Sequence, residues 1–555
     1  MNNSKNLIVK NPKNKILLFF AFSFLLSLCR EASEFLYQKD AHVDFSRLEV
    51  LLTLFLGFLG YWLVFFILLF LLDYVFFDIP FSLSDPQKIS SPVWLYLILA
   101  IGWLPVLLIK YPGAMNYDSW RMLWEYRSGN MTQHHSVFYS VLLGFFVNTL
   151  EKIGNANLGL FLFCVLHYLV YVFVFGYSLA VLQKRFHANK LLLTTLIISY
   201  LLNPYVSGYI GVALKDNFYS VWVFLLIICL TELASFPAEF TNTKGKLFLL
   251  LLTGLNVWLL RKNGPYIMIC VLLVCLVLAL FQERAYKKAV TILAFTCVLS
   301  FGISSLLVKA YDAKPGSISE ALSLPFQQTA RYGKYYGDDV TEQERTVLNQ
   351  ILDYDTAVSV YTPRISDSVK SNYLENDTAL PAYFKVWLAQ FLRHPQVYFE
   401  ATLEQNWYLF LPEIENITLF RDFDVAYEAG MEVIMSDTTV GYYEPIFSVP
   451  DVLKAPQEML IKLFMVLHRA PLLKYLGSTA VFTYLLFMVI AIFWARRIKW
   501  FLPLLPALIS FVFVILGPAI YAHPRYMFPV VYSLPFVIIY GVMAAHRQPD
   551  SRTDH

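Results

Sequence analysis

One aspartate stands in a polar stretch between two long apolar windows of the sequence. The stretch reads Lys110-Tyr-Pro-Gly-Ala-Met-Asn-Tyr-Asp118-Ser-Trp. A carboxylate among Tyr and Trp rings at a membrane face can have a raised basicity, which would suit a general base. The alternative is structural, because Asp is a favoured N-terminal cap and helix-like Ser-Trp-Arg-Met-Leu-Trp follows. The local sequence leaves both roles open for Asp118.

Basic side chains stand in three later turns, which read Lys215-Asp216-Asn217, Arg261-Lys262-Asn263-Gly264 and His523-Pro-Arg525-Tyr526. Arginine near membrane depth is costly, and its planar fork suits a phosphate group. Arg525 is therefore predicted to bind a lipid phosphate, and Tyr526, Arg261 and Asn263 are candidate neighbours. The alternative for the basic groups is snorkelling to ordinary headgroups. Lys215 and Asp216 either belong to the site or form a local ion pair, with Asp216 capping the next helix.

The remaining candidates carry weaker signals. His134 and His135 could bind a metal or a substrate, but adjacent helical residues point about 100° apart and seldom chelate one ion, which favours packing or capping. Gln327, Gln328 and Arg331 are candidate substrate ligands at the start of a polar segment. All six cysteines lie in apolar windows, and the chain has no Walker loop, GxSxG elbow or HExxH motif. No cofactor or metal is therefore expected.

The elements that must position these residues are membrane helices. Of 555 residues, 58% are hydrophobic and 15% charged, against about 25% charged in a soluble domain. A bilayer span needs about 20 mostly apolar residues. The pattern predicts an all-α polytopic protein with about twelve spans, near 16–29, 50–72, 93–109, 158–182, 191–205, 217–233, 247–260, 265–281, 289–309, 476–494, 500–517 and 526–544.

The short apolar window 135–150 decides the topology. Counting it as a span would reverse every later helix and would place four Lys/Arg clusters outside, against the positive-inside rule. We therefore predict that it is a helix on the outer membrane surface, in a plasma-membrane protein with both termini cytoplasmic. All of the candidate residues then fall on the extracytoplasmic side.

Residues 311–475 differ in composition from the rest of the chain. They contain 13 Lys and Arg against 23 Asp and Glu, a net charge of −10, whereas the remainder has a net charge of +13. Helical spacing of apolar residues predicts a mostly helical domain, with one or two helices in 381–411. The predicted organisation is a tail with two spans (1–92), a membrane core (93–310) with a catalytic outer loop (110–157), the extracytoplasmic domain (311–475), final spans (476–545) and a cytoplasmic tail (546–555).

This order of features resembles the GT-C class of membrane glycosyltransferases. The shared pattern is an outer-loop Asp (Asp118), a surface helix opening with histidine (His134-His135-Ser-Val-Phe-Tyr), an Arg/Lys-Asn-Gly turn, a large outer domain and a final Arg525-Tyr-x-x-Pro529. The proline pair of the family's "His-Pro-Pro-Leu"-like helix is absent, so that motif is partial. The chain is more closely similar to an uncharacterised bacterial family of GT-C-like proteins over most of 90–540, through Tyr111-Pro-Gly, Leu324-Pro-Phe-Gln-Gln-Thr-Ala-Arg331, Tyr361-Thr-Pro, Ser366-Asp-Ser-Val-Lys370 and His394-Pro-x-x-Tyr398.

The resemblance implies a sugar transfer on the extracytoplasmic face. The donor would be a polyprenyl-phosphate-linked sugar in the bilayer, and the acceptor a cell-wall or surface glycan; no nucleic acid partner is expected. By analogy with the class, Asp118 would deprotonate the acceptor hydroxyl, and Arg525, with Arg261 and Lys215, would hold the donor phosphate. Two alternatives remain at this stage: a twelve-span secondary transporter or flippase, and a non-catalytic cell-envelope binding protein.

Overall fold

A computed structural model describes residues 12–39, 42–79, 91–281, 285–413, 446–471, 473–499, 501–518 and 523–546. Within these ranges the chain forms helices and three isolated bridges but no β-strand. Eight helices are long and apolar enough to cross a membrane. A helix satisfies its own backbone hydrogen bonds, which is the condition for crossing lipid. The predicted class, an all-α membrane protein, is confirmed.

In chain order the α-helices are α1 Pro12–Lys39, α2 Leu48–Asp73, α3 Val93–Ile109, α4 Tyr117–Ser128, α5 Val137–Glu151, α6 Ala156–Arg185, α7 Lys190–Leu202, α8 Pro204–Ser207, α9 Lys215–Ser235, α10 Pro237–Asn242, α11 Lys244–Leu260, α12 Gly264–Phe281, α13 Tyr286–Ala310, α14 Ser323–Tyr336, α15 Glu342–Leu348, α16 Tyr354–Ser359, α17 Asp367–Lys370, α18 Leu380–Arg393, α19 Pro395–Gln405, α20 Asp451–Arg469, α21 Thr479–Arg496, α22 Phe501–Leu516 and α23 Phe528–His546.

The eight membrane-length helices are α1, α2, α6, α9, α12, α13, α21 and α23, the last with the short turn that precedes it. Each matches a predicted span. The other four predicted spans correspond to α3, α7, α11 and α22, which have 13 to 17 residues. These four are shorter than the roughly 20 residues that a perpendicular crossing needs.

The two ends of the helix bundle carry different residues. One end, here called the site face, contains the turns 110–116, 203–214, 261–263 and 523–527. The segment 311–316 joins it, because Gln133 and Lys314 hydrogen bond through their backbones. The opposite face carries paired charges, such as Asp73 with Arg496 and Glu232 with Lys246.

Helix α5, the ambiguous window, begins and ends at the site face. At its start, Ser136 donates a hydrogen bond to the carbonyl of Leu259, at the end of α11. Just beyond its end, Asn157 hydrogen bonds Ser448, in the segment before α20. Along its length it packs against α4, with Tyr126 lying over Gly144. Helix α5 has 15 residues, fewer than a perpendicular crossing needs, and its place on the outer membrane surface stays a prediction.

Helices α14 to α19 form an extramembrane domain with its own apolar core, which includes Phe326, Leu352 and Tyr383. The sequence predicted one or two helices over 381–411, and the structure has two, α18 and α19, separated at His394-Pro395. Proline fits the first turn of a helix but disfavours helical backbone in the residue before it. The break is therefore encoded locally.

The first two helices are attached to the rest at both ends. At the site face, the backbone N–H of Val43 donates to Glu400, and the His42 ring lies 2.7 Å from the same carboxylate. At the opposite face, Asp73 pairs with Arg496 and Lys15. Helices α1 and α2 thus form a hairpin that contacts both the membrane bundle and the extramembrane domain.

Helix α9 lies at the centre of the bundle, in contact with α6, α11, α22 and α23. All of its residues from Lys215 to Ala234 are buried. A helix that is apolar all round can face either lipid or other helices, and the burial of α9 shows that it lies within the bundle. Its polar first turn, Lys215-Asp216-Asn217, is consequently held at the centre of the site face.

Candidate functional site

Asp118 lies in the first turn of α4 but does not cap it. The cap is Asn116, whose side chain accepts a hydrogen bond from the backbone N–H of Ser119. The structural alternative for Asp118 is therefore wrong, because the chain places another residue at the capping position. The Asp118 carboxylate is directed instead towards basic residues from distant turns.

Lys215 connects two of the predicted site residues. Its amine donates to Asp118 Oδ2 at 2.9 Å and to His135 Nδ1 at 2.9 Å. Of the two alternatives for Lys215 and Asp216, the structure shows no ion pair between them, since successive helical residues project in different directions. Nor does His135 cap α5, because Ser136 occupies that position. His135 meets Lys215 instead.

Asp216 belongs to a second set of contacts. Arg261 Nε lies 3.2 Å from one of its carboxylate oxygens, and Arg525 Nε lies 3.6 Å from the other. Asp216 does not cap α9, which has no side-chain cap. Arg525 also reaches Asp118, with its NH1 atom 3.3 Å from Oδ2. Arg525 therefore bridges the two carboxylates.

These five residues, Asp118, Lys215, Asp216, Arg261 and Arg525, are called the charge cluster below. Tyrosine rings pack against its arginines. The Tyr526 ring centre lies 5.0 Å from the Arg261 guanidinium and 5.2 Å from that of Arg525. Tyr219, which the sequence analysis did not single out, lies on Arg261 at 5.8 Å. Such contacts fix the planes of both guanidinium groups.

The charge cluster is buried unevenly. The side chain of Asp216 is 1% exposed and that of Arg525 is 6% exposed, whereas that of Asp118 is 18% exposed. Three cations face two carboxylates, which leaves one positive charge in excess. Buried charge is costly unless it is paired. The cluster thus offers an anion a site with fixed basic groups, and Asp118 is its more accessible carboxylate.

Electrostatics set the protonation of Asp118 and His135. Burial alone would favour the protonated form of Asp118, but Arg525 and Lys215 outweigh it and hold the pKa of that carboxyl well below its usual range. The expected raised basicity is therefore wrong in this state. Burial, with Lys215 alongside, holds the pKa of His135 well below its usual value. A neutral His135 that accepts at Nδ1 carries its proton on Nε2, which has no hydrogen-bond partner within the described residues.

The other predicted residues of this face border the charge cluster. The His134 ring lies 4.5 Å from that of His135, and burial lowers its pKa to about 4. A Cβ atom at position 316 would lie 3.1 Å from both the His134 backbone and the Lys262 amine. The tight space therefore favours Gly316 over a residue with a side chain. Burial lowers the pKa of Lys262 although Glu320 opposes the change. Asn263 lies in the same turn as Lys262.

Three predicted residues lie elsewhere, inside the extramembrane domain. Gln327 donates to the carbonyl oxygens of Thr362 and Ile365, and Gln328 donates to Thr402. Arg331 is fully buried between Glu400 and Glu404 on α19, with both carboxylates at ion-pair distance. These hydrogen bonds join α14 to its neighbours. The structure does not bring Gln327, Gln328 or Arg331 to the charge cluster.

The chemistry available at this face is proton acceptance beside anion binding. Asp118 can accept a proton, and Arg525, Lys215 and Arg261 can hold an oxyanion. The N-terminus of α9 adds its dipole at the same place, which favours negative charge. In the part of the chain that the structure describes, no group of three His, Cys, Asp or Glu side chains is arranged to hold a metal ion.

Fold and site together define a polytopic helical membrane protein with a buried, net-positive charge cluster at one face. The chain belongs to DUF6020, described as a family of unknown function, whose model matches residues 122–555. Asp118 and the helices α1 to α3 precede the matched range. No curated protein and no solved structure matches the chain.

Proposed function

We propose that this protein is a GT-C-type glycosyltransferase that moves a sugar from a polyprenyl-phosphate carrier to a cell-surface glycan. The observation that carries the proposal is the charge cluster, in which an accessible carboxylate touches two cations at the end of a membrane bundle. Lys215 and Arg525 both contact Asp118 Oδ2. A lipid-phosphate sugar needs a basic site at this depth, and an attacking hydroxyl needs a proton acceptor beside it.

The cations suit the phosphate of such a donor. A polyprenyl tail stays among the helices while its phosphate lies at the interface, where the turns 261–263 and 523–527 are. Arg525 presents a planar fork that can hold two phosphate oxygens, and Lys215 adds a point charge. The surplus positive charge would be neutralised by the incoming anion. Asp216, almost fully buried, keeps Arg261 and Arg525 in place.

The carboxylates divide into two roles by exposure. Asp118 is the one that an acceptor can reach, so it takes the hydroxyl proton, while Asp216 is a positioning residue. As the proton leaves, the acceptor oxygen bonds to the anomeric carbon, and the carbon–oxygen bond to the phosphate breaks with its electron pair on the phosphate. Attack opposite the leaving group requires a single base and inverts the anomeric centre.

Donor binding would also raise the basicity of Asp118, which is low in the free protein. A phosphate that binds Arg525 and Lys215 draws these cations away from the carboxylate and adds its own negative charge nearby. Both changes favour the protonated form, so the pKa of Asp118 rises when the donor is present. Asp118 therefore becomes basic enough to accept the hydroxyl proton only when the donor is bound.

Topology and location follow from the same proposal. The lipid-linked donor and the glycan acceptor meet at the extracytoplasmic face of the plasma membrane, so the site face is extracytoplasmic and the opposite face cytoplasmic. All twelve predicted spans cross, with α3, α7, α11 and α22 as short spans, and both termini are cytoplasmic. Lys184 and Arg185, at the end of α6, then obey the positive-inside rule.

Mass spectrometry of lipid-linked sugars and surface glycans tests this function in a bacterial strain that lacks the chain. We expect one polyprenyl-phosphate sugar to accumulate and one surface sugar to disappear. The parent chain should restore both, and Asp118→Asn should restore neither while reaching the membrane at the parent level. Unchanged lipid-linked sugars and glycans in the deletion strain would refute the transferase and favour a transporter or a binding protein.

A further inference from the structure

A cavity of about 210 Å³ opens at the site face beside the charge cluster. Two consecutive aromatic residues, Trp407 and Tyr408, line it, together with Ser478 and Thr479. Lys474 also lines it. At about 30 Å³ per water molecule, the volume holds roughly seven waters or one monosaccharide.

Two tyrosines, Tyr408 and Tyr526, lie between the cavity and the charge cluster. Tyr408, in the cavity wall, lies close enough to Tyr526 for the two side chains to interact electrostatically. Tyr526 is the residue whose ring packs on Arg261 and Arg525. On its other side, the cavity includes Tyr205, which hydrogen bonds the carbonyl of Gly477 and packs against Phe528. Tyr408 and Tyr526 therefore connect the lining of the cavity to the arginines of the charge cluster.

The lining fits a sugar better than an apolar ligand. The positive C–H edge of a pyranose ring packs on the negative face of an aromatic ring, and hydroxyl groups such as those of Ser478 and Thr479 can exchange hydrogen bonds with a sugar. Trp407 and Tyr408 are held rigidly, since both are more than nine-tenths buried. Rigid rings lose little entropy on binding.

The charged residues that line the cavity differ in whether an opposite charge lies beside them. His468 and Arg469 line it as well as Lys474, and the carboxylate of Glu413, which also lines it, is paired with Arg30 at 3.0 Å. Lys474 contacts the ring of Tyr475 at 4.9 Å, and among the described residues no carboxylate lies within ion-pair distance of its amine. An acidic group on the ligand would supply that partner. The cavity therefore prefers a sugar with a negative charge over a neutral one.

We propose that this cavity is the acceptor subsite and that it binds an acidic saccharide unit, one that carries a carboxylate or a phosphate. The proposal rests on the transferase function above and deepens it by naming the acceptor class. An acidic unit held by Lys474 beside Trp407 would leave the rest of the glycan to approach Asp118 along the site face.

Isothermal titration of the full-length protein in lipid nanodiscs tests the subsite with three probes: glucuronate, glucose and inorganic phosphate. The arginines of the charge cluster can also bind a carboxylate, so Arg525→Gln is the variant that distinguishes this cavity from the charge cluster. We expect glucuronate to bind at least tenfold more tightly than glucose. Lys474→Gln should remove that preference, and Ser478→Phe, which fills the cavity, should weaken both sugars at least tenfold. The matched control is Lys462→Gln, an exposed lysine on α20, which should leave binding unchanged.

The same titrations separate failure of the subsite from failure of the transferase. Inorganic phosphate should bind Arg525→Gln at least tenfold more weakly than the parent, while Arg525→Gln keeps the glucuronate preference. Equal binding of glucuronate and glucose, or a preference that survives Lys474→Gln, would overturn the acidic acceptor and leave the transferase untouched. If Ser478→Phe does not fold, the exposed Lys474→Gln variant decides alone. Phosphate binding that is indifferent to Arg525 would count against the transferase instead.

Discussion

Asp118→Asn removes one negative charge from a cluster that already has a surplus of positive charge. The amide keeps the size of the carboxylate but cannot accept the acceptor's proton. The two proposed roles of this region therefore respond in opposite directions. Transfer should fall by about 10²-fold or more, the usual contribution of a general base. Binding of the donor phosphate should become tighter, because its competitor for Arg525 and Lys215 has lost its charge.

The size of the gain in binding follows from the geometry. Arg525 NH1 lies 3.3 Å from Asp118 Oδ2. A phosphate on the same guanidinium places its charge about 5 Å from the carboxylate, where two unit charges repel by roughly 3 kcal/mol at an effective dielectric constant of about 20. Asp118 is 18% exposed, so solvent screens part of this repulsion. Retaining about half of it, roughly 1.4 kcal/mol, corresponds to tenfold tighter binding.

Two measurements check this reasoning on the same nanodisc preparation. A short-chain prenyl phosphate titrated into parent and Asp118→Asn gives the change in affinity, and a transfer assay with lipid extract from the deletion strain gives the change in rate. Weaker prenyl phosphate binding in the variant would refute the competition between carboxylate and phosphate. Transfer at near-parent rates would refute the base. Asp216→Asn is the matched control: it should loosen Arg261 and Arg525 and weaken phosphate binding, because Asp216 positions both.

Three further predictions concern phosphate binding, protonation and topology. Arg525→Lys keeps the charge but loses the fork, so transfer should require more donor to saturate, and Arg525→Gln still more; equal donor dependence of the Lys variant and the parent would favour ordinary headgroup snorkelling. The depressed pKa of Asp118 gives a stabilisation that is complete above the unfolded value of about 3.9 and is lost as pH falls through the folded value. The parent should therefore unfold at a higher temperature than Asp118→Asn at pH 7, with the difference shrinking below about pH 4; a difference that grows on acidification would contradict the ion pairs. Asp338→Cys should react with an impermeant thiol reagent in intact cells, and Lys184→Cys only after permeabilisation, whereas the reverse pattern would invert the topology.

The sequence was sufficient to locate the members of the charge cluster but not to pair them. Alternating spans place the turns with Asp118, Lys215, Arg261 and Arg525 at one end of the bundle, so their meeting could be predicted from hydropathy and the positive-inside rule. Which of these residues form ion pairs with each other could not be predicted from the sequence. Lys215 meets Asp118 rather than its neighbour Asp216, because helix geometry turns adjacent side chains apart. The resulting low pKa of Asp118 depends on contacts across 97 residues, which composition does not reveal.

The extramembrane domain shows the limit of motif-based reasoning. Gln327, Gln328 and Arg331 form a polar run that could belong to a site, yet they lie within a helix whose buried face they help to form. Their partners, such as Glu400 and Glu404, come about 70 residues later on α19. A buried polar residue is satisfied by its hydrogen-bond partners, whatever its function. Only the packing of α14 on α19 distinguishes a structural arginine from a ligand-binding one.

Asp73, at the end of α2, has a consequence for the biogenesis of the protein. Its carboxylate is buried against both Lys15, 58 residues earlier, and Arg496, 423 residues later. During synthesis, the hairpin of α1 and α2 therefore enters the membrane with one counter-ion already beside the aspartate, which makes the insertion of this charge less costly. The arginine is synthesised 423 residues after the aspartate. Its docking joins α21 to the hairpin of α1 and α2, so this contact can form only after the intervening helices have been made.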